Sequence, residues 1–152
     1  RYGGHVRRHY SVAQHSVLVS WWAGYLAREA DHSDAVEHDA ARWGLFHDAA
    51  EAYVGDVIRP LKLLLGAASP LVRVERAFER AIAERFRLAP EIPALVHQAD
   101  REVCMAEQIQ LDRVPEGWVP SGRVADIPID KWSRRRARLA FLGRAHQLDA
   151  PF

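Results

Sequence analysis

The chain has 152 residues, of which 49% are apolar, so it can form one folded domain with its own core, and an intrinsically disordered protein is excluded. Its formal net charge of +1 disfavours a dedicated nucleic-acid-binding protein, because such proteins usually carry a strong basic excess. We therefore expect a single domain over residues 1–152 and no nucleic-acid polymer among its partners.

The first third of the chain predicts two helices. The first begins after Ser11, a suitable N-cap residue, and runs to about Glu29 with apolar residues near helical spacing. After a polar break, the second helix runs from about Asp34 to Tyr53, and Gly55 ends it.

The rest of the chain predicts three more helices, separated by proline-containing loops. They are expected from Ser69-Pro70 to about Arg87, from the segment between Pro90 and Pro93 to about Arg113, and from the cap residue Asp130 to about Gln147. The loops are residues 56–65, with one short helical turn, and residues 114–128, which are extended. No strand pattern stands out, so the sequence predicts an all-α bundle of five or more helices.

Cys104 is the only cysteine, so no disulfide can form within the chain, which is typical of a reducing compartment. No apolar run approaches the roughly 20 residues that span a membrane, and no signal peptide is visible. We expect a cytoplasmic protein without a membrane partner. Because the first residue is Arg1 and not Met, we also expect that further residues precede it.

Two His-Asp pairs, His38-Asp39 and His47-Asp48, lie in the second predicted helix. They are nine residues apart, which is about 900° of helical rotation and puts them on opposite faces. The first pair lies in a polar stretch, whereas the second follows the apolar run WGLF. A charged Asp is costly in apolar surroundings unless it is paired or binds a metal, so the second pair is the candidate for a site.

Acidic residues follow the second pair at short spacing. Glu51 lies four residues after His47 and so shares its helical face, and Asp56 comes directly after Gly55. Several carboxylates close to an imidazole are typical of a site that binds a divalent cation and contains a base that activates water.

A metal needs further ligands from other helices. His15 lies at the start of the apolar stretch of the first helix, and Asp100 follows an apolar run in the fourth. Side chains from several helices can build a metal site inside a bundle. His97 is a rival ligand, and a lone His15 or Asp100 is also typical of an ordinary packed or ion-paired helix residue.

Three segments together resemble the HD-domain phosphohydrolases, in the branch that contains the bacterial 5′-deoxynucleotidases and the phage dATP triphosphohydrolases. These segments are RYGGHVRRHYSVAQHS, GLFHDAAEAYVGDVIRPLK and QADREVCMAE. The resemblance covers most of the chain up to about Leu111. Ala52 replaces the second acid of the HDxxED motif of the stringent-response hydrolases, which disfavours that branch.

The resemblance implies a role for each residue of the motifs. The metal ligands would be His15, His47, Asp48 and Asp100. Glu51 would orient or deprotonate the attacking water, and Asp56 would assist the leaving group or a metal-bound water. Arg1 and Lys62 would contact phosphate, and Tyr2 would lie near the base or sugar. The mixed nitrogen and oxygen ligands suit Zn, Co or Mn.

The function that we expect is hydrolysis of dATP to deoxyadenosine with release of its phosphates, in a phage-infected cell. An alternative is a 5′-deoxynucleotidase acting on deoxynucleoside monophosphates, and another is a non-catalytic helical module stabilised by metal. The only support for a nucleic-acid-binding domain is the basic run from Arg134 to Arg138. Trp21 and Trp22 are candidates for stacking on the base, although core packing or a subunit interface is more usual. By the same resemblance we expect a homo-oligomer.

Overall fold

The computed structural model describes residues 9–111 and 117–150, apart from the side chain of Arg59. Its regular structure is entirely helical in this part of the chain, which confirms the predicted all-α bundle of five or more helices. The helices are α1 (Val12–Glu29), α2 (Asp34–Phe46), α3 (Glu51–Val54), α4 (Arg59–Leu65), α5 (Pro70–Arg85), α6 (Ala94–Gln110) and α7 (Arg134–Gln147).

Helix α1 is the central element, and α2, α6 and α7 all pack against it. It begins as predicted, because the Oγ atom of Ser11 accepts a hydrogen bond from the amide of Gln14 at 3.1 Å. Its neighbours enclose it so fully that polar side chains such as Ser16 and Ser20 are buried along with the apolar ones. A helix enclosed on several sides can place a polar side chain deep inside the bundle, and α1 does so with His15.

Helices α1 and α2 approach each other most closely at Gly44. A Cβ atom added to Gly44 would lie 2.9 Å from the Cα atom of Ser20 and 3.0 Å from the carbonyl oxygen of Val19. Only a glycine allows the two backbones to come so near. This contact lies close to the C-terminal end of α2 and therefore brings the residues after α2 towards α1.

The second predicted helix is not continuous, and the prediction of one helix from Asp34 to Tyr53 was wrong. Helix α2 ends at Phe46, and the chain then winds through tight turns in which several amides bond three residues back, for example Glu51 to the carbonyl of Asp48 at 3.0 Å. Such turns contain about three residues each, fewer than an α-helix. His47 itself keeps helical dihedral angles, with a φ of −58° and a ψ of −35°.

Residues 59–65 form a helix where the sequence predicted a loop with one helical turn. Pro60 lies in the first turn of α4, where its missing amide hydrogen leaves no hydrogen bond unmade. Gly66 ends the helix with a φ of 80°, which a glycine adopts at little cost.

The predicted cap of the last helix was also wrong. Helix α7 begins after Ser133, whose Oγ atom accepts a hydrogen bond from the amide of Arg136 at 3.1 Å. Asp130 has a different role, since its backbone carbonyl accepts a hydrogen bond from the side chain of Gln14 at 2.7 Å. The described part of the predicted extended loop, residues 117–128, contains no helix or strand, as expected.

The apolar core has two parts. One is built around Trp22, Trp43 and Val103, and the other around Leu45 and Phe46. Among the described residues, no helix has both the length and the apolar character needed to cross a membrane.

Candidate metal centre

Four side chains converge at one point, where the Nε2 atom of His15 is close to the ligand atoms of the other three. This nitrogen is 3.3 Å from Nε2 of His47, 3.5 Å from Oδ2 of Asp48 and 3.1 Å from Oδ1 of Asp100. The Nε2 atom of His47 is in turn 3.3 Å from Oδ1 of Asp48 and 3.8 Å from Oδ1 of Asp100. The residues come from α1, from the turn after α2 and from α6, so the fold brings together all four of the predicted metal ligands.

The spacing of these atoms fits one divalent metal ion. Two ligand atoms that each lie about 2.1 Å from a metal are about 3.0 Å apart at an octahedral angle and about 3.4 Å apart at a tetrahedral angle. The nitrogen–nitrogen and nitrogen–oxygen separations at the site are 3.1–3.8 Å, so they lie within or slightly above this range. The ligand atoms of His15, His47 and Asp48 all lie within 4.8 Å of one another and form a potential metal site, and Asp100 adds a second carboxylate oxygen 3.1 Å from Nε2 of His15 and 3.8 Å from Nε2 of His47. Mixed imidazole and carboxylate donors suit a transition metal.

The second nitrogen of each imidazole has its own partner. Nδ1 of His47 donates to the carbonyl oxygen of Gly44 at 2.8 Å, and since a carbonyl can only accept, this contact places the hydrogen on Nδ1. Nδ1 of His15 lies 2.6 Å from Oε1 of Glu107. Both contacts leave the Nε2 lone pair directed at the point of convergence, as a metal ligand requires.

Without a metal, the site is held together by opposite charges. Burial alone would raise the pKa of the Asp100 carboxyl, but hydrogen bonds from His15 and His47 hold it well below its usual range. Burial alone would lower the pKa of His47, but the negative charges of Asp48 and Asp100 outweigh it and raise the pKa above its ordinary value. A dication at this point would take over the stabilisation of the carboxylates that the imidazoles now provide.

The site is open on the side of its carboxylates. The side chain of His15 is completely buried and that of His47 is 7% exposed, whereas Asp48 and Asp100 are 20% and 33% exposed. The imidazoles thus form the floor of the site, and a small molecule can approach from the side of the two Asp residues.

Glu51 and Asp56, predicted to be catalytic, follow the site along the chain. Glu51 is the first residue of α3 and is partly buried, and its charge helps to raise the pKa of Lys62. Asp56 is also partly buried and follows Gly55, whose φ of 83° turns the chain away from α3. Their catalytic roles stay predictions.

Lys62, predicted to contact phosphate, forms an ion pair with a carboxylate of α5. Its Nζ atom lies 2.6 Å from Oε1 of Glu75. Burial would lower the pKa of Lys62, but the hydrogen bond with Glu75 and the charges of Glu51 and Asp48 raise it above its ordinary value. Lys62 is therefore within electrostatic reach of the candidate metal centre. Arg1 and Tyr2, the other two predicted substrate contacts, lie outside the described residues.

The other candidates lie elsewhere. His38 lines a surface cavity of about 330 Å³ together with Asp34, Glu37 and Arg144, and Asp39 is exposed. His97, the rival ligand, is exposed to solvent on α6.

The two tryptophans line a surface cavity of about 480 Å³, and their role in stacking on the base stays a prediction. Trp22 is buried, stacks on Tyr25 with ring centroids 4.7 Å apart, and donates to Glu102 at 2.6 Å. Trp21 is about half exposed and meets Trp132 edge-on at 6.3 Å.

Sequence reasoning missed Glu107 and Tyr10. Glu107 is completely buried on α6, and its Oε1 atom accepts a hydrogen bond from the hydroxyl of Tyr10 at 2.5 Å in addition to its contact with His15. The available signal was spacing, because Glu107 follows Asp100 by seven residues and therefore lies on the same face of the helix.

Comparison with known proteins gives two matches. A family model described as HD domain matches residues 3–102, a range that contains all four converging residues. The uncharacterized protein YfdR of Escherichia coli (strain K12) is 34% identical over 111 residues, which is 73% of this chain and 53% of that protein. The chain therefore spans about half the length of this curated relative.

Proposed function

The chain belongs to the HD-domain family, and on that premise we propose that it is a metal-dependent phosphohydrolase whose metal is held by His15, His47, Asp48 and Asp100. The observation that carries the proposal is the convergence of two imidazole Nε2 atoms with the oxygens of two carboxylates at 3.1–3.8 Å. When bound, a divalent metal supplies activation of water near neutral pH and neutralisation of phosphate charge. Zn, Co and Mn all suit this donor set.

The acidic residues beside the centre supply the proton chemistry. Glu51 follows Asp48 by three residues, and we assign to its carboxylate the removal of a proton from the attacking water. Asp56 assists the leaving group from the loop between α3 and α4. Both carboxylates are partly buried.

Cationic groups offset the negative charge of the phosphate. The ammonium group of Lys62 lies in the electrostatic field of Asp48 and Glu51, and we assign to it the stabilisation of the phosphate charge. Arg1 contributes a second cation, and Tyr2 packs near the base or sugar. These two assignments rest on the resemblance of the first segment to its relatives.

The substrate that we propose is a deoxynucleotide, with dATP first. Its support is the likeness of the three motif segments to the phage dATP triphosphohydrolases. The test is an assay of phosphate and triphosphate release across the four deoxynucleoside triphosphates and the four monophosphates. Preferential turnover of dATP supports the proposal, whereas turnover of the monophosphates with dATP untouched makes the protein a 5′-deoxynucleotidase.

Two other functions would give different experimental results. A non-catalytic module would bind metal and hydrolyse no phosphate ester. A nucleic-acid-binding domain would bind DNA tightly and with strong salt dependence through residues 134–138. The arginines of that run are exposed on α7, as in an ordinary solvated helix face.

We also propose that the protein acts in the cytoplasm as a homo-oligomer. Helix α4 supports the second point, because Leu63 and Leu64 are 73% and 84% exposed beside the half-exposed Leu61 and Leu65. Exposed apolar patches of this kind are typical of protein–protein contacts. Light scattering coupled to size-exclusion chromatography will give the mass in solution, and the double substitution Leu63→Glu and Leu64→Glu is expected to reduce it to that of one chain.

A further inference from the structure

Glu107 is a buried carboxylate in direct contact with a candidate metal ligand. Its side chain is 0% exposed, and it lies among apolar residues of α6 that include Val103 and Ala106. A carboxylate in such surroundings is costly unless hydrogen bonds compensate it. Two donors meet its Oε1 atom, namely Nδ1 of His15 at 2.6 Å and the hydroxyl of Tyr10 at 2.5 Å.

These two contacts fix the state of His15. A carboxylate oxygen has two lone pairs and can accept both hydrogens, so the ring hydrogen of neutral His15 lies on Nδ1. In this neutral form Nε2 carries a lone pair that can bind a metal, whereas without a metal a protonated Nε2 donates to Asp100 at 3.1 Å. Tyr10 donates to the same oxygen, so the three residues form a continuous chain from the hydroxyl to the centre.

The two imidazoles of the site therefore have different supports. His47 donates its Nδ1 hydrogen to the neutral carbonyl of Gly44, whereas His15 donates to a carboxylate. A hydrogen bond to a charged acceptor is stronger than one to a neutral acceptor, and it makes the opposite ring nitrogen a better electron donor. His15 is thus the ligand that the protein both orients and strengthens.

We propose that Glu107, oriented by Tyr10, is a positioning residue that sets the metal affinity of the centre through His15. This inference rests on the proposed metal site, but not on the identity of the substrate. Loss of a comparable outer partner of a metal-binding histidine weakens metal affinity about 10–100-fold. We expect that range for Glu107→Gln, which keeps the shape and an acceptor oxygen but removes the charge. A smaller loss is expected for Tyr10→Phe.

Glu102 provides a matched control on the same helix. It is also a buried carboxylate, but its partners are Trp22 at 2.6 Å, Gln98 at 2.8 Å and Arg123, all away from His15. Glu102→Gln therefore removes a buried charge from α6 without altering the support of the site. We expect it to change the thermal midpoint and to leave metal affinity within about twofold of the parent.

The experiment is a titration of the full chain, stripped of metal, with Co²⁺, followed by calorimetry and by the visible absorption of the bound ion. The proposal predicts at least tenfold weaker binding for Glu107→Gln, an altered visible spectrum, and unchanged affinity for Glu102→Gln. A folded Glu107→Gln protein that binds Co²⁺ as tightly as the parent would overturn the proposal. If Glu107→Gln does not fold, a Tyr10→Phe protein that binds Co²⁺ as tightly as the parent would overturn it instead.

Two further outcomes separate this inference from the proposed function. Parent protein that binds no Co²⁺ would remove both the metal centre and the role of Glu107. A sulfur-to-cobalt charge-transfer band that disappears in Cys104→Ser would place the ion on His15, Cys104 and Glu107, whose ligand atoms also lie within 4.8 Å of one another. Glu107 would then be a ligand itself, and the inference would be wrong even if the protein is a phosphohydrolase.

Discussion

Gly44 and His47 are joined by a hydrogen bond of 2.8 Å from the ring Nδ1 to the carbonyl oxygen, in the turn where α2 comes nearest to α1. One residue thus allows the close approach of two helices and orients a candidate metal ligand. The Nε2 atoms of His15 and His47 lie 3.3 Å apart because of this packing.

Gly44→Ala is expected to destabilise the protein. The added methyl group would lie 2.9 Å from the backbone of Ser20, which cannot move aside as a flexible side chain can. Overpacking of this kind costs about 1–3 kcal/mol, and urea denaturation will measure it as a lower free energy of unfolding. Gly24→Ala is the matched control, since its new Cβ would lie 3.5 Å from Ala41, an ordinary contact. Gly24→Ala should be neutral or stabilising. A Gly44→Ala protein as stable as the parent would show that the close approach of α1 and α2 does not require a glycine at this position.

His47→Ala is expected to abolish tight metal binding, because it removes one of four converging ligand atoms. The loss of metal affinity should exceed roughly 100-fold, which is the upper end of the range expected when only a hydrogen-bond partner of a metal ligand is removed. His38→Ala tests the other His-Asp pair, and we expect metal affinity within about twofold of the parent. Calorimetric titration of both variants will check this. Loss of affinity in His38→Ala alone would show that the wrong pair had been chosen.

Glu51→Gln is expected to lower kcat about 10²–10⁴-fold while metal affinity changes only a few-fold, because the residue is assigned to proton transfer and not to the metal. Steady-state kinetics with saturating metal will separate the two effects. Glu91→Gln, an exposed position in the loop before α6, should leave kcat unchanged. An unaltered kcat in Glu51→Gln would remove that residue from the proposed mechanism.

Lys62→Ala is expected to weaken substrate binding. A hydrogen bond to a charged group contributes about 1.5–3 kcal/mol, which corresponds to a loss of roughly 10–150-fold in kcat/KM. Lys131→Ala, at the other lysine of the chain, is the control and should have no effect. Glu75→Gln removes the ion-pair partner but keeps the ammonium group, so it should retain kcat/KM. A loss in Glu75→Gln as large as in Lys62→Ala would indicate that the pair is only structural.

The convergence of the four candidate ligands was predictable because each of them breaks the sequence pattern around it. His47 and Asp48 follow an apolar run, and His15 and Asp100 lie on apolar helix faces. The boundaries of α1 and α5 were predictable for a similar reason, since Ser11 and Ser69 are strong caps and both accept the expected hydrogen bonds.

The interruption after Phe46 could not be predicted from local sequence. The segment from His47 to Tyr53 contains alanines and no Gly or Pro, so its intrinsic preference is helical. Tertiary contacts decide its path, above all the packing of α2 on α1. Glu107 was missed because a single Glu in a helix is usually solvated, and its burial depends on the partners Tyr10 and His15.

Anomalous diffraction at the metal edge from crystals soaked with Mn²⁺ will show where this protein binds a divalent metal. We expect one strong peak within bonding distance of Nε2 of His15, Nε2 of His47 and a carboxylate oxygen each of Asp48 and Asp100. A peak on His38-Asp39, on His97, or on Nδ1 of His15 with Cys104 and Glu107 would contradict this prediction.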